Sequence, residues 1–139
     1  MYGGVFLPLQ LRDNGRCFAC GAQNPIGLKL EFEEQGPGRV ACRFTPQADH
    51  QGYAGITHGG IISTVLDEAM ARAIITQGIG AVTASMEVRF KAPVPTGGTA
   101  TAEGWVREVR GRLIYAEARL VLPDGTVAAD AIAKFIMVS

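Results

Sequence analysis

One change of period constrains this chain more than any other feature. Between Thr57 and Gly78 the apolar residues recur at helical spacing, with Ile62, Leu66, Ala69 and Ala73 on one face and Val65 and Met70 beside them. On both sides of that run apolar and polar residues alternate instead. Leu28, Leu30 and Phe32 alternate with Lys29, Glu31 and Glu33; Val40, Cys42 and Phe44 alternate with Ala41, Arg43 and Thr45. After the helical run, Val82, Ala84, Met86, Val88 and Phe90 alternate with Thr83, Ser85, Glu87, Arg89 and Lys91. Side chains repeat every two residues along a strand and every 3.6 along a helix, so one pattern cannot serve for the other.

The spacing therefore predicts two strands joined through Gln35-Gly36-Pro37-Gly38, then one long helix, then four strands. The last three strands fall near 99–109, 112–122 and 126–138, turned by Arg110-Gly111-Arg112 and Asp124-Gly125. This is an α+β domain, with one helix on one face of an antiparallel sheet of about six strands. A single helix cannot cover such a sheet, so a partner subunit is expected to complete it. Thr57 is the expected helix cap and Gly78 the expected stop, with Glu68 and Arg72 as an i,i+4 pair. Residues 1–26 are irregular and read as an N-terminal arm, with a short helix near 5–11, ahead of a domain over 27–139.

Composition excludes several classes. Apolar residues make up 47% of the 139, enough for a real core. Thirteen basic and thirteen acidic residues leave no excess positive charge for nucleic acid. No run of about 18 apolar residues occurs, so no membrane span is expected. The opening segment has no basic residue before its short apolar run and no small-residue cleavage site, so no signal peptide is read and the expected compartment is the cytoplasm. The phosphate-loop, dinucleotide-binding and GxSxG patterns are absent.

The chemistry concentrates at Gly55-Ile56-Thr57-His58-Gly59-Gly60 and at Asp67. Two glycines in a first helical turn cost propensity. Either they let the helix pack tightly on the sheet, or they let a ligand approach free N–H groups at the positive end of the helix dipole. Asp67 falls about 120° from the centre of the apolar stripe, at the border of the buried face. A carboxylate there can act as base or nucleophile, or be merely ion-paired. Thr83 and Ser85 offer hydroxyls on the following strand. Arg89, Lys91, Arg107, Arg110 and Arg112 could meet ligand phosphates, or form a solvated face balanced by Glu103, Glu108 and Glu117.

Cys17-Phe18-Ala19-Cys20 has the spacing of a zinc knuckle, but a tetrahedral site needs four ligands and no second pair follows. Cys42, His50 and His58 fall on separate elements. No metal is therefore expected, and a redox pair would lack its usual strand-to-helix setting.

Together GITHGGIISTVLDEAMA at 55–71, AVTASMEVRFKAPVPTG at 81–97 and CFACGAQNPIGLKLEF at 17–32 resemble the hotdog-fold acyl-CoA thioesterases, in the phenylacetate-degradation (PaaI-like) branch of the 4-hydroxybenzoyl-CoA thioesterase superfamily. The resemblance implies a sheet wrapped around a central helix, an acyl-CoA substrate, no cofactor, and a homodimer or homotetramer with its site at a subunit interface. It implies that the Gly59 N–H polarises the thioester carbonyl, that His58 helps position it, that Asp67 is the catalytic carboxylate, and that Thr83 orients water or that carboxylate. Gly60, Ser85 and Arg89 are the further residues assigned to substrate binding. Where many relatives carry an asparagine about seven residues before the oxyanion glycine, this chain has Gly52. The competing functions are a non-catalytic acyl-CoA-binding module and another hotdog activity such as a dehydratase.

Overall fold

A computed structural model of the chain describes residues 11–138. The short helix expected near 5–11 lies, but for Leu11, outside them. The elements are β1 (Glu33–Gly36), β2 (Arg39–Phe44), a 3-10 turn (Ala48–His50), α1 (Gly59–Ile75), β3 (Ala81–Phe90), β4 (Ala100–Arg110), β5 (Leu113–Val121) and β6 (Val127–Met137). The strands form one sheet in the order β1-β2-β4-β5-β6-β3, antiparallel throughout. α1 carries the chain across the sheet, so β3 arrives at the far edge beside β6 rather than beside β2.

The core lies between α1 and one sheet face. Ile62, Val65, Leu66, Ala69, Met70, Ala73 and Ile74 of the helix are buried, as the period requires. They meet Ala100 and Ala102 of β4, Ile114, Ala116, Ala118 and Leu120 of β5, and Ala131, Ala133 and Phe135 of β6. Small sheet residues let the helix sit close, while its Leu, Ile and Met side chains each contribute roughly 1.5–3 kcal/mol of burial. The closest approach is at Gly104, where an added Cβ would lie 2.4 Å from the Ala69 carbonyl oxygen.

Three local expectations change. The alternating run from Leu28 does not enter the sheet until Glu33. Its backbone bonds the arm instead: Leu28 N donates to Phe18 O at 2.8 Å and Leu30 N to Ala19 O at 2.9 Å, with Lys29 between them at φ +53°. Ala19 and Leu30 are both buried in the core cluster, so the arm from Cys17 onward shares the core of the sheet and helix. The helix cap is His58, not Thr57, whose N–H is taken by Val94 O at 2.8 Å. The helix ends at Ile75, and Gly78 adopts φ +72° in the turn beyond. Finally, among the described residues Glu68 makes no ion pair with Arg72. Its carboxylate is turned toward Cys17, with Sγ 4.0 Å from both oxygens.

Candidate active site

The start of α1 is built around His58. Its backbone is extended, at φ −63° and ψ 136°, and its N–H donates to His50 O at 2.8 Å. Nδ1 accepts the Gly60 N–H at 2.8 Å, and the His58 carbonyl accepts from Ile61 and Ile62 at 3.0 and 3.2 Å. Three of the four donors that a helix start leaves over are thereby satisfied. Among the described residues none accepts from the Gly59 N–H. Gly59 itself is among the residues lining an open cavity of about 340 Å³, with Ile56, Thr57, Ile62, Phe90 and Lys91. Thr57 is only 4% exposed, and its Oγ1 has no partner among the described residues. Gly52 stands behind the His58 ring, where an added Cβ would lie 3.4 Å from Cδ2.

Asp67 sits at the border of the buried stripe, half-buried, and accepts a 2.7 Å hydrogen bond from Thr83 Oγ1 at Oδ1. Burial pushes its carboxyl above the ordinary range, and the Thr83 hydrogen bond pulls the other way. A bulge makes this contact possible. The register with β6 slips between Thr83 and Ser85, placing Thr83 opposite Phe135 and Ser85 opposite Lys134. Cross-strand partners share a face, so Thr83 points with Phe135 toward the core and α1. Ser85 points with Lys134 to the outer face. Strict alternation would have put the two hydroxyls together; one extra residue separates them.

The structure thus brings Asp67 and Thr83 together, and His58, Gly59 and Gly60 together. Ser85 and Arg89 join neither group. Ser85 opens onto an outer groove with Tyr115, Ile132 and Lys134. Arg89 Nε is bonded to Asp130 Oδ1 at 3.0 Å, with Lys91 Nζ 2.7 Å from Oδ2. Lys91 first, then Arg89, hold the Asp130 carboxyl below its usual range. Of the other candidate arginines, Arg107 pairs with Glu117 and Arg110 with Glu108, as the balanced-face reading has it, whereas Arg112 donates to the Met137 carbonyl at 3.0 Å; Arg119, outside that set, pairs with Glu103. Such exposed pairs contribute little to stability, because water screens them. The Gly60 N–H, already held by His58, is not free for a ligand.

Within one chain the two groups stay apart. Eight residues separate Gly59 from Asp67, about 12 Å along the helix axis. One carbonyl cannot touch both.

Two features escaped sequence reasoning. A cavity of about 580 Å³ lies between the arm and β2, lined by Phe18, Ile26, Leu28, Leu30, Phe44 and His50 among others. The alternation over 28–32 carried a trace of it, read as a strand. Glu68 meets the two arm cysteines, a contact between residues 51 positions apart that no local pattern encodes.

A six-stranded antiparallel sheet curled on one long helix, with the helix start and a half-buried carboxylate as its polar features, is a hotdog-fold protein. Residues 54–129, more than half the chain, match the model of the Thioesterase superfamily (4HBT). The chain belongs to that family. It is 28% identical over 116 residues to acyl-coenzyme A thioesterase THEM4 of Xenopus laevis, covering 82% of this chain and 52% of that protein. The chain thus spans about half the length of the curated relatives it matches. Its fold superposes on the crystal structure of a thioesterase superfamily protein with TM-score 0.83 and 25% identity, over 88% of this chain and 60% of the other. It superposes on Escherichia coli PaaI, from the phenylacetic acid degradation operon, with TM-score 0.76 and 23% identity, over 81% of each chain.

Proposed function

We propose that this chain is an acyl-CoA thioesterase, hydrolysing a thioester to free acid and CoA. The observation that carries the reading is Asp67: a half-buried carboxylate on a thioesterase-superfamily fold, held by Thr83 at 2.7 Å. The similarity to acyl-coenzyme A thioesterase THEM4 supports the substrate class.

The carbonyl oxygen accepts the Gly59 N–H, with the helix dipole behind it. Negative charge developing on that oxygen is stabilised by a donor already in place, an effect of roughly 10²–10³ for one such donor. His58 positions the turn by holding the Gly60 N–H. Asp67, ionised, takes a proton from water as the water attacks the carbonyl carbon. The tetrahedral intermediate then expels the CoA thiolate, which receives the proton held by Asp67, giving the thiol and restoring the carboxylate. Thr83 fixes the carboxylate so that its second oxygen faces the water.

The site is completed by a second copy of the chain. The 12 Å rise between Gly59 and Asp67 supports this, because one carbonyl must reach the Gly59 N–H of one subunit and the carboxylate of the other. β3 supports it too. It is an outer strand of ten residues with one side unpaired among the described residues, an edge that proteins ordinarily cover.

The test is complementation. Asp67→Asn removes the base. Gly59→Pro removes the N–H at a first helical position that favours proline after the extended His58 backbone, and its Cβ would touch the Phe90 ring at 3.4 Å. Each variant alone should fail to release free thiol from acyl-CoA. Mixed and allowed to exchange subunits, they should recover turnover, because each hybrid dimer contains one intact site. Saturable acyl-CoA binding with no turnover by the parent chain would identify a binding module instead. Wild-type turnover by Asp67→Asn would refute the catalytic role.

A further inference from the structure

The CxxC turn of the arm plays no part in that chemistry, yet it is among the most tightly built segments of the chain. Gly21 N donates to Cys17 O at 2.8 Å, and Cys20 N points at Cys17 Sγ at 3.5 Å. An added Cβ on Gly21 would lie 2.4 Å from Cys17 N and 2.5 Å from Gly15 O, so the turn tolerates no side chain there. The carbonyls of Phe18 and Ala19 are held by Leu28 and Leu30. This fixes the two cysteines against α1, where Glu68 meets them. One ligand atom from each of Cys17, Cys20 and Glu68 lies within 4.8 Å of the other two. Cys17 Sγ is 4.0 Å from each Glu68 oxygen. Both cysteines are free thiols, and all three side chains are partly buried. Among the described residues no lysine or arginine pairs with Glu68.

We propose that Cys17, Cys20 and Glu68 bind one zinc ion, with water in the fourth position. Zinc takes cysteine sulfur at about 2.3 Å and carboxylate oxygen at about 2.0–2.2 Å in a tetrahedron, which sets S···S near 3.8 Å and S···O near 3.6 Å. The 4.0 Å separations from Cys17 to Glu68 need close by only a few tenths of an ångström. The Cys20 N–H directed at Cys17 Sγ is the kind of outer contact that supports a metal-bound thiolate. Two sulfur ligands select zinc over magnesium or calcium, which prefer oxygen. Binding releases the thiol protons to solvent. Cys42 takes no part; it is buried in β2 with Sγ against the Arg43 carbonyl at 3.3 Å. The ion would clasp the arm to α1 one residue beyond Asp67, a structural task separate from thioester hydrolysis.

The experiment uses the full chain, purified under reducing conditions, equilibrated with zinc and dialysed. Elemental analysis should find about one zinc per chain. Cys42→Ser should retain it, and Cys17→Ser with Cys20→Ser should lose it. Glu68→Gln, which keeps size and packing, should weaken zinc binding by roughly 10-fold or more. Cobalt(II) in place of zinc should give the parent the visible bands of a tetrahedral ion and a near-ultraviolet sulfur-to-cobalt band. This spectrum needs no variant to fold. A parent that holds no zinc while Cys17 and Cys20 react freely with a thiol reagent overturns the proposal. So does a Cys17–Cys20 disulfide that persists under reduction. Zinc held equally well by Glu68→Gln overturns the three-residue ligand set.

Discussion

Replacing Gly104 with alanine should loosen the helix and the Asp67 carboxylate together. The new Cβ would stand 2.4 Å from the Ala69 carbonyl oxygen and 2.5 Å from its carbon, whereas ordinary contact begins near 3.4 Å. Both partners are backbone, so no side chain can rotate away. α1 must rise from β4 by about 1 Å. Overpacking of this kind costs about 1–3 kcal/mol. For 139 residues the unfolding entropy is about 0.3 kcal/mol/K, so Tm should fall by about 3–10 °C. Asp67 lies two residues before Ala69 on the same helix, and its 2.7 Å bond to Thr83 spans the gap between helix and sheet. A misplacement of about 1 Å can cost roughly 10²-fold in rate. Thermal melting and initial rates of thiol release from acyl-CoA read both effects on one preparation. Gly98→Ala is the control, because its Cβ would meet nothing closer than Pro95 O at 4.0 Å. A Gly104→Ala protein that melts with the parent and turns over at the parental rate would refute the reasoning.

Asp67→Asn should melt higher than the parent at neutral pH. Burial raises the folded carboxyl above its unfolded value, so ionisation costs stability as pH rises through the folded pKa, and the asparagine escapes that cost. The advantage should vanish below the ordinary carboxylate range, and melting curves across pH that show a constant gap would contradict it. Thr83→Val removes the one hydrogen bond that draws the Asp67 carboxyl down, so the rising limb of kcat against pH should move to higher pH; an unmoved limb would detach Thr83 from the carboxylate's work. His58→Ala deletes the cap on Gly60 and should cost about 0.5–2 kcal/mol, while His58→Asn, which can still accept that N–H, should recover most of it in chemical denaturation.

Much of this was legible along the chain. The helical run over 57–78 and the alternating runs after it correspond to α1 and to β3 through β6 within a residue or two at most strand ends. These periods report burial directly, because a residue's direction follows from its position once the element is chosen. Asp67 was placed correctly at the border of the buried face by the same arithmetic. Where local signals competed, the reading slipped. Thr57 is the residue type that usually caps, yet the helix starts at Gly59 and the cap falls to His58, whose Nδ1 accepts the Gly60 N–H. Leu28, Leu30 and Phe32 alternate as a strand would, yet the Leu28 and Leu30 N–H groups bond the arm, where the CxxC turn offers the carbonyls of Phe18 and Ala19.

What the sequence determined by itself was therefore the number and kind of elements, the buried face of the helix, and the residues with chemical potential. Those properties depend on spacing within one element. What only the tertiary structure decided was which of those residues meet. The bulge between Thr83 and Ser85 turns one hydroxyl to Asp67 and the other to the outer face, and no residue type there announces it. Glu68 reaches Cys17 from 51 positions away, converting an incomplete pair of ligands into three. Contacts of this kind follow from packing a helix of given length against a sheet of given order, and a one-dimensional pattern holds no record of distance across that gap.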